Sequence, residues 1–198
     1  MRNPETRGVN CVICGVGGQG NVLASRLLAH VFFERNDHVK TAETIGMAQR
    51  GGSVASHVRS GRPNSPLVPK HAADCLIAFE PAEAVRCLDY VRPGGTIVVN
   101  TQAIQPPSSA LATSGYDGAA ELTYLIALEN AHVIVVDGAR LCAMAGSPKV
   151  LNVVLVAEAV KSGVLGISRA ELEQAIRALV KPAFIDVNLR AVEFVFAE

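Results

Sequence analysis

Tryptophan is absent from this 198-residue chain, aromatics make up only 5% of it, and Lys plus Arg balance Asp plus Glu at 18 each. Without a basic field or aromatic platforms there is little to hold a nucleic-acid backbone or stack its bases, so nucleic acid is not an expected partner. No apolar run reaches the length of a membrane span. The longest, residues 150 to 160, is interrupted by Asn152 and Glu158. The polar stretch Met1–Gly8 lacks the apolar core of a signal peptide. The expectation is a cytoplasmic protein with no membrane partner. No G-x-S-x-G elbow occurs. The five histidines, His30, His38, His57, His71 and His132, show no metal-ligand spacing with a third donor. No metal site is expected. Cysteine is sparse and odd in number: Cys11, Cys14, Cys75, Cys87 and Cys142. That count argues against a disulfide framework. Cys11 and Cys14 form a C-x-x-C, but on a strand residues three apart face opposite ways, so they read as small buried hydrophobes.

What the chain has is a glycine loop in a telling place. Val12 and Ile13 end an apolar strand over residues 10–15. Gly15, Gly17 and Gly20 give the G-x-G-x-x-G spacing, with Gly18 between them and Gln19 beside them. Val22, Leu23, Leu27, Leu28, Val31 and Phe32 then recur near 3.6 residues, predicting a helix over 20–35. Strand, glycine turn and helix N-terminus in that order let a backbone approach an anionic group closely. A dinucleotide site also wants an acid about twenty residues on, and Glu43, at the end of a second predicted strand (38–43), falls there. The loop can equally serve close packing of helix on strand.

Strands and helices alternate onward. Residues 53–59 alternate as a half-exposed, antiparallel-looking strand. Residues 75–79, 96–100 and 132–137 read as strands, with a turn at 92–95. Helices are predicted from Pro81, over 117–129 and, as an amphipathic helix, over 149–161. Two more follow: one opened by the capping box Ser168–Glu171 and one over 186–196. With 49% hydrophobic residues the chain can bury a sizeable core. The expected fold is a single α/β domain over 1–198. It is a three-layer α/β/α arrangement with a mostly parallel, mixed sheet over 8–146, a Rossmann-like glycine loop, and C-terminal helices over 147–198. Asp74, Glu80 and Glu83 gather near a strand end, where helix-opening acids beside a favourable dipole are the preferred reading.

A second stretch, Ala42–Ser53, combines Gln49, Arg50, Gly51, Gly52 and Ser53. Arg50 and backbone N–H groups can bind a carboxylate or phosphate, and the loop can equally dock on a partner chain.

Gly15–Gly20 with Val22–Arg26 resembles the opening of the gamma domain of 2-oxoacid:ferredoxin oxidoreductases. Glu43–Ser53 with Ser56–Arg59 is similar to the small, or beta, subunit of indolepyruvate:ferredoxin oxidoreductases within that family. Pro69, Asp74, Arg92–Gly95 and Ser147–Asn152 extend the resemblance over nearly the whole chain. The resemblance implies a gamma subunit of a hetero-oligomer that oxidatively decarboxylates a 2-oxoacid, pyruvate or an aryl pyruvate such as indolepyruvate. Thiamine diphosphate and iron–sulfur clusters then lie on a large catalytic partner subunit, and ferredoxin and coenzyme A accept the products. No Gly-Asp-Gly occurs here, and the cysteines are not spaced for a cluster. No catalytic residue is assigned to this chain, and it is expected to be inactive alone. The candidate ligand contacts are Gly15, Gly17, Gly18, Gln19, Gly20, Glu43, Gln49, Arg50, Gly51, Gly52 and Ser53, with coenzyme A the natural candidate. Two readings stay open beside this one: a free-standing NAD(P)- or FAD-dependent oxidoreductase, and a ligand-free scaffold subunit. An isolated subunit also has a route to homodimerise through the face meant for its partner.

Overall fold

The computed structural model describes residues 8–43, 51–104 and 116–198. β1 (Asn10–Val16) carries four consecutive fully buried residues. Cys11 and Ile13 enter one core and Val12 and Cys14 the other, so both faces of the strand are covered. α1 (Asn21–Glu34) follows and buries Ala24, Leu27, Leu28, Val31 and Phe32.

β2 (Lys40–Glu43) and β3 (Ser53–Arg59) come next, then β4 (Ala73–Ala78) and β5 (Val91–Asn100) separated by α2 (Pro81–Arg86). α3 (Ala119–Ile126) leads to β6 (Ala131–Val136). The strands form one sheet in the order β2-β3-β1-β4-β5-β6. β1, β4, β5 and β6 are parallel, whereas β3 runs antiparallel to both β1 and β2. The mixed sheet agrees with the alternating pattern of residues 53–59. After β1 the chain crosses to the β3 side, and after β3 it crosses back to β4. The boundary of β1 and β4 is therefore a topological switch point, where open α/β sheets place their ligands at the carboxyl ends of the strands.

α4 (Gly138–Ala145), α5 (Leu151–Lys161), α6 (Arg169–Leu179) and α7 (Pro182–Ala197) complete the chain. α1, α5, α6 and α7 share a core with Cys11, Ile13, Cys75 and Ile77, while α2 and α3 cover the opposite face. Four details depart from the sequence reading. α4 lies between the last strand and the predicted C-terminal helices. α5 is not amphipathic: every residue from Asn152 to Val160 is buried, because α5 sits between the sheet and α7. α7 starts at Pro182, which costs little at a helix's first position. Arg92–Gly95 belongs to β5, whose pairing with β4 shifts register between Ala73 and Cys75.

The capping box at Ser168 and Glu171 is present. Glu171 also takes a two-pronged bond from Arg35 at the C-terminus of α1, with Nε and Nη2 each 2.6 Å from a carboxylate oxygen. These bonds, chiefly that from Arg35, hold its carboxyl down to about 2 from an ordinary 4.5. A depressed carboxylate contributes stability that is complete above the ordinary value and is lost as pH falls through the folded one. Stability should therefore fall as pH drops from about 4.5 toward 2. Glu171→Gln should flatten that part of the profile in acid titrations followed by circular dichroism. The effect is modest, since the pair is partly exposed. A parallel profile in the variant would refute the assignment.

Candidate functional site

The carboxyl ends of β1, β4 and β5 converge on Phe79. Its backbone oxygen accepts from Gln19 Nε2 and from Asn100 Nδ2, each at 3.2 Å, and its N–H donates to Cys14 O at 2.9 Å. Gln19 also folds back over the glycine loop, with Oε1 2.6 Å from the Val16 N–H. Gly15 lies in this crowd. A Cβ there would stand 2.6 Å from Gln19 Oε1 and 2.8 Å from Phe79 Cβ. Asn100 continues the chain of contacts by accepting from the Gly138 N–H at 3.2 Å, at the start of α4.

Gly20 caps α1 at φ 96°, with no side chain to bond the first amides. A Cβ here would meet Asn152 Nδ2 at 2.7 Å. Leu23 and Ala24 bond back to Gly20 O. The amides of Asn21 and Val22 precede the first intrahelical acceptor. No acidic residue occupies the first turn, so the positive end of the helix is uncompensated by its own sequence. Beside it opens a cavity of about 280 Å³ lined by Gly17, Gly18, Gly20, Asn21, Val54 and Ser56, among others. Asn21 is 5% exposed, and neither its Oδ1 nor its Nδ2 has a hydrogen-bond partner among the described residues. A buried carboxamide with both ends unmet costs on the order of 1–3 kcal/mol per group. Asn21 lines the cavity, and a turn of its side chain would bring the carboxamide to a bound ligand.

Two other predicted contacts join this cradle. Gly52 O accepts from the Gly17 N–H at 2.8 Å, so Gly51–Ser53 borders the glycine loop. Ser53 Oγ donates to Glu83 Oε2 at 2.5 Å. Gln49 and Arg50 lie outside the described residues. Glu43 is placed apart: β3 intervenes between its strand and β1, a separation of roughly 10 Å. Its carboxylate accepts from Ser25 Oγ at 2.9 Å and lines a different cavity, beside Arg26 and His30. In a dinucleotide fold the corresponding strand is the direct neighbour of β1.

The acids at the strand ends divide. Glu80 caps α2 through the Glu83 N–H at 3.0 Å and accepts from Tyr116 Oη at 2.5 Å. Burial and that bond push the Tyr116 phenol well above its usual range, so it stays a neutral donor. Glu83 accepts from Arg86 at 3.2 Å as well as from Ser53. These two acids organise a helix start, as the sequence suggested. Asp74 is at the amino end of β4, away from these strand ends, and is paired with Arg92 at 2.7 Å.

The Cys11 thiol is pushed well up by its hydrogen bond to Cys75 and by burial, and Cys14 chiefly by burial. Neither is a reactive thiolate. The five cysteines are buried and unbridged. Among the described residues no group of three or more His, Cys, Asp or Glu side chains could hold a metal ion. No helix among them is long and apolar enough to cross a membrane.

Sequence reasoning missed Asn21, Asn100 and Phe79. Asn100 ends an apolar strand, a position where ligand or loop contacts concentrate, and that was the available signal. Asn21 follows the last glycine of the loop, and nothing in its spacing marks it as unpaired.

The comparisons fit this architecture. Residues 10–198 match the family described as pyruvate ferredoxin/flavodoxin oxidoreductase. The chain is 37% identical to indolepyruvate oxidoreductase subunit IorB of Archaeoglobus fulgidus, over 93% of this chain and 92% of that one. Its fold is that of the gamma subunit of a keto/oxoacid ferredoxin oxidoreductase from Geobacter sulfurreducens. There the TM-score is 0.68 at 22% identity, with 96% of each chain covered. A similar overlay, TM-score 0.69 at 18% identity, covers 98% of this chain but 31% of a 2-oxoglutarate:ferredoxin oxidoreductase from Magnetococcus marinus, a structure with 2-oxoglutarate, coenzyme A and succinyl-CoA bound. With a family match running from β1 to the end of the described chain, and the glycine cradle at the switch point of the shared fold, this protein belongs to the pyruvate ferredoxin/flavodoxin oxidoreductase family, as a subunit of an oxidoreductase.

Proposed function

We propose that this chain is the non-thiamine-binding small subunit of a 2-oxoacid:ferredoxin oxidoreductase, acting on an aryl pyruvate such as indolepyruvate, and that its glycine cradle receives a phosphate-bearing part of coenzyme A. The observation that carries the reading is the orphaned Asn21 carboxamide beside the uncapped start of α1. The names of the relatives support the oxoacid. The coenzyme A named for the Magnetococcus structure supports the ligand.

The cradle fits such a group on this chain's own terms. Glycines at 17, 18 and 20 leave the backbone bare, so an anion can reach the Asn21 and Val22 amides. Turned toward the cavity, the Asn21 Nδ2 donates to a phosphate or carbonyl oxygen, and its Oδ1 accepts from an amide or hydroxyl. Coenzyme A, when bound, supplies the thiol that accepts the acyl group. This chain binds and orients, while thiamine and cluster chemistry belongs to a large catalytic partner, with ferredoxin as electron acceptor. Gly51–Ser53 borders the cradle through Gly52, and the role of the loop with Gln49 and Arg50 is to shape the entrance against that partner. The placement of Glu43 beyond β3 weighs against a free-standing NAD-dependent enzyme.

Calorimetric titration of the assembled complex with coenzyme A and with NAD tests the reading. Coenzyme A should bind and NAD should not. Asn21→Leu should weaken coenzyme A about tenfold, the worth of one to two hydrogen bonds. Absence of binding by either ligand would leave the loop a packing device. Tight NAD binding with turnover by the isolated chain would favour the free-standing enzyme.

A further inference from the structure

Two surface grooves meet at Leu179, on the side of the molecule built by α1, α6 and α7. One, of about 340 Å³, runs along α1 and the edge strand β2 past Arg26 and Phe33. The other, also about 340 Å³, runs between the α6–α7 junction and the turn at 147–150, past Lys149, Lys181 and Phe184. Their apolar walls are unusually open. Phe33 is 68% exposed, Phe184 50% and Leu179 40%. Three large hydrophobics in one continuous track exceed the single scattered exposures normal for a soluble surface.

Of the four Lys, Arg, Asp and Glu side chains that line the track, three are basic. Among the described residues Arg26, Lys149 and Lys181 have no acidic partner, although elsewhere on the molecule Arg35, Arg92, Arg140 and Arg169 are each paired with a carboxylate. Glu43 is the acid lining the track, and it is occupied by Ser25. A strip of apolar side chains edged by unpaired cations complements a segment carrying Asp or Glu between Leu- or Phe-type residues. Like charges would repel a second copy docking the same strip onto itself.

We infer that this double groove is the seat of an acidic, apolar-studded segment of the catalytic partner subunit. The inference rests on reading the chain as a dependent subunit. It assigns the α1/α6/α7 side, rather than the glycine cradle alone, to holding the complex together. The cations steer the segment in, and Phe33, Leu179 and Phe184 seat its apolar side chains.

The test is association of the purified chain with its immobilised catalytic subunit at low and high salt. The variants are Lys149→Glu with Lys181→Glu, and Phe184→Ser, each checked for unaltered thermal unfolding. All three side chains are exposed, so folding should be preserved. The charge-reversal variant should bind at least about tenfold more weakly and lose most of the salt dependence, and Phe184→Ser should raise the dissociation rate. Parent-like affinity in both variants would overturn the docking assignment while leaving the dependent-subunit reading intact. Failure of the unmodified chain to bind the catalytic subunit would overturn both. Loss of self-association with partner affinity unchanged would assign the groove to a second copy and overturn the proposal.

Discussion

A Gly20→Val protein should melt well below the parent and bind coenzyme A at background level in the assembled complex. Two independent effects act at this position. The backbone holds φ at 96°, where a β-branched side chain is strongly disfavoured. The new Cβ would also approach Asn152 Nδ2 to 2.7 Å, and Asn152 is itself buried at the start of α5. Left-handed strain costs about 1–2 kcal/mol and overpacking about 1–3, so the total loss should be roughly 2–5 kcal/mol. Gly18→Ala separates the two effects. Gly18 has φ 103° but open space around its missing side chain, so only the strain should appear there. Thermal unfolding and coenzyme A titration of both variants check the pair. Equal melting of Gly20→Val and the parent would mean that the loop relaxes freely and is not the fixed cradle described.

The second large effect concerns α5. Leu155 is fully buried, on a helix whose middle nine residues are all inaccessible. Leu155→Ala should cost about 2–5 kcal/mol, because walls on both sides are held by other elements and cannot collapse into the void. For a chain of this size that corresponds to a fall of roughly 5–15 °C in Tm. An exposed site such as Lys149→Ala, near the same helix, should change Tm by little. Denaturant or thermal unfolding decides it, and a Leu155→Ala loss below about 1 kcal/mol would show a core looser than this packing implies.

The same helix shows where sequence pattern runs out. Asn152, Glu158 and Lys161 suggest a polar face, and a helix with a polar face is expected at a surface. Glu158 is instead buried, and burial raises its carboxyl above the ordinary range despite Lys161 beside it. What covers α5 is α7, which begins only at Pro182 with α6 in between, and no local period reports such a neighbour. α4 is only eight residues long, Gly138–Ala145, so it offers barely two turns in which a 3.6-residue repeat can show. The β1–loop–α1 unit was legible because every signal in it is local: four buried residues, glycines at fixed spacing, then a 3.6-residue repeat. The insertion of β3 between β1 and β2 is a pairing choice, invisible to composition. It alone moves Glu43 away from the cradle. In the cradle itself, glycines announced a bare backbone. The unpaired state of Asn21 depends on what fails to surround it, which only packing can reveal.

Burial of α5 beneath α7 also bears on synthesis. Ala191, Val192 and Val195 close the same cluster that contains Cys11 and Ile13 of the first strand. A nascent chain still tethered at residue 180 would present the apolar back of α5 to solvent or to a chaperone. The sheet's helical roof can seal only after residue 195 has left the ribosome, so the core under α5 should stay incompletely packed until α7 has emerged.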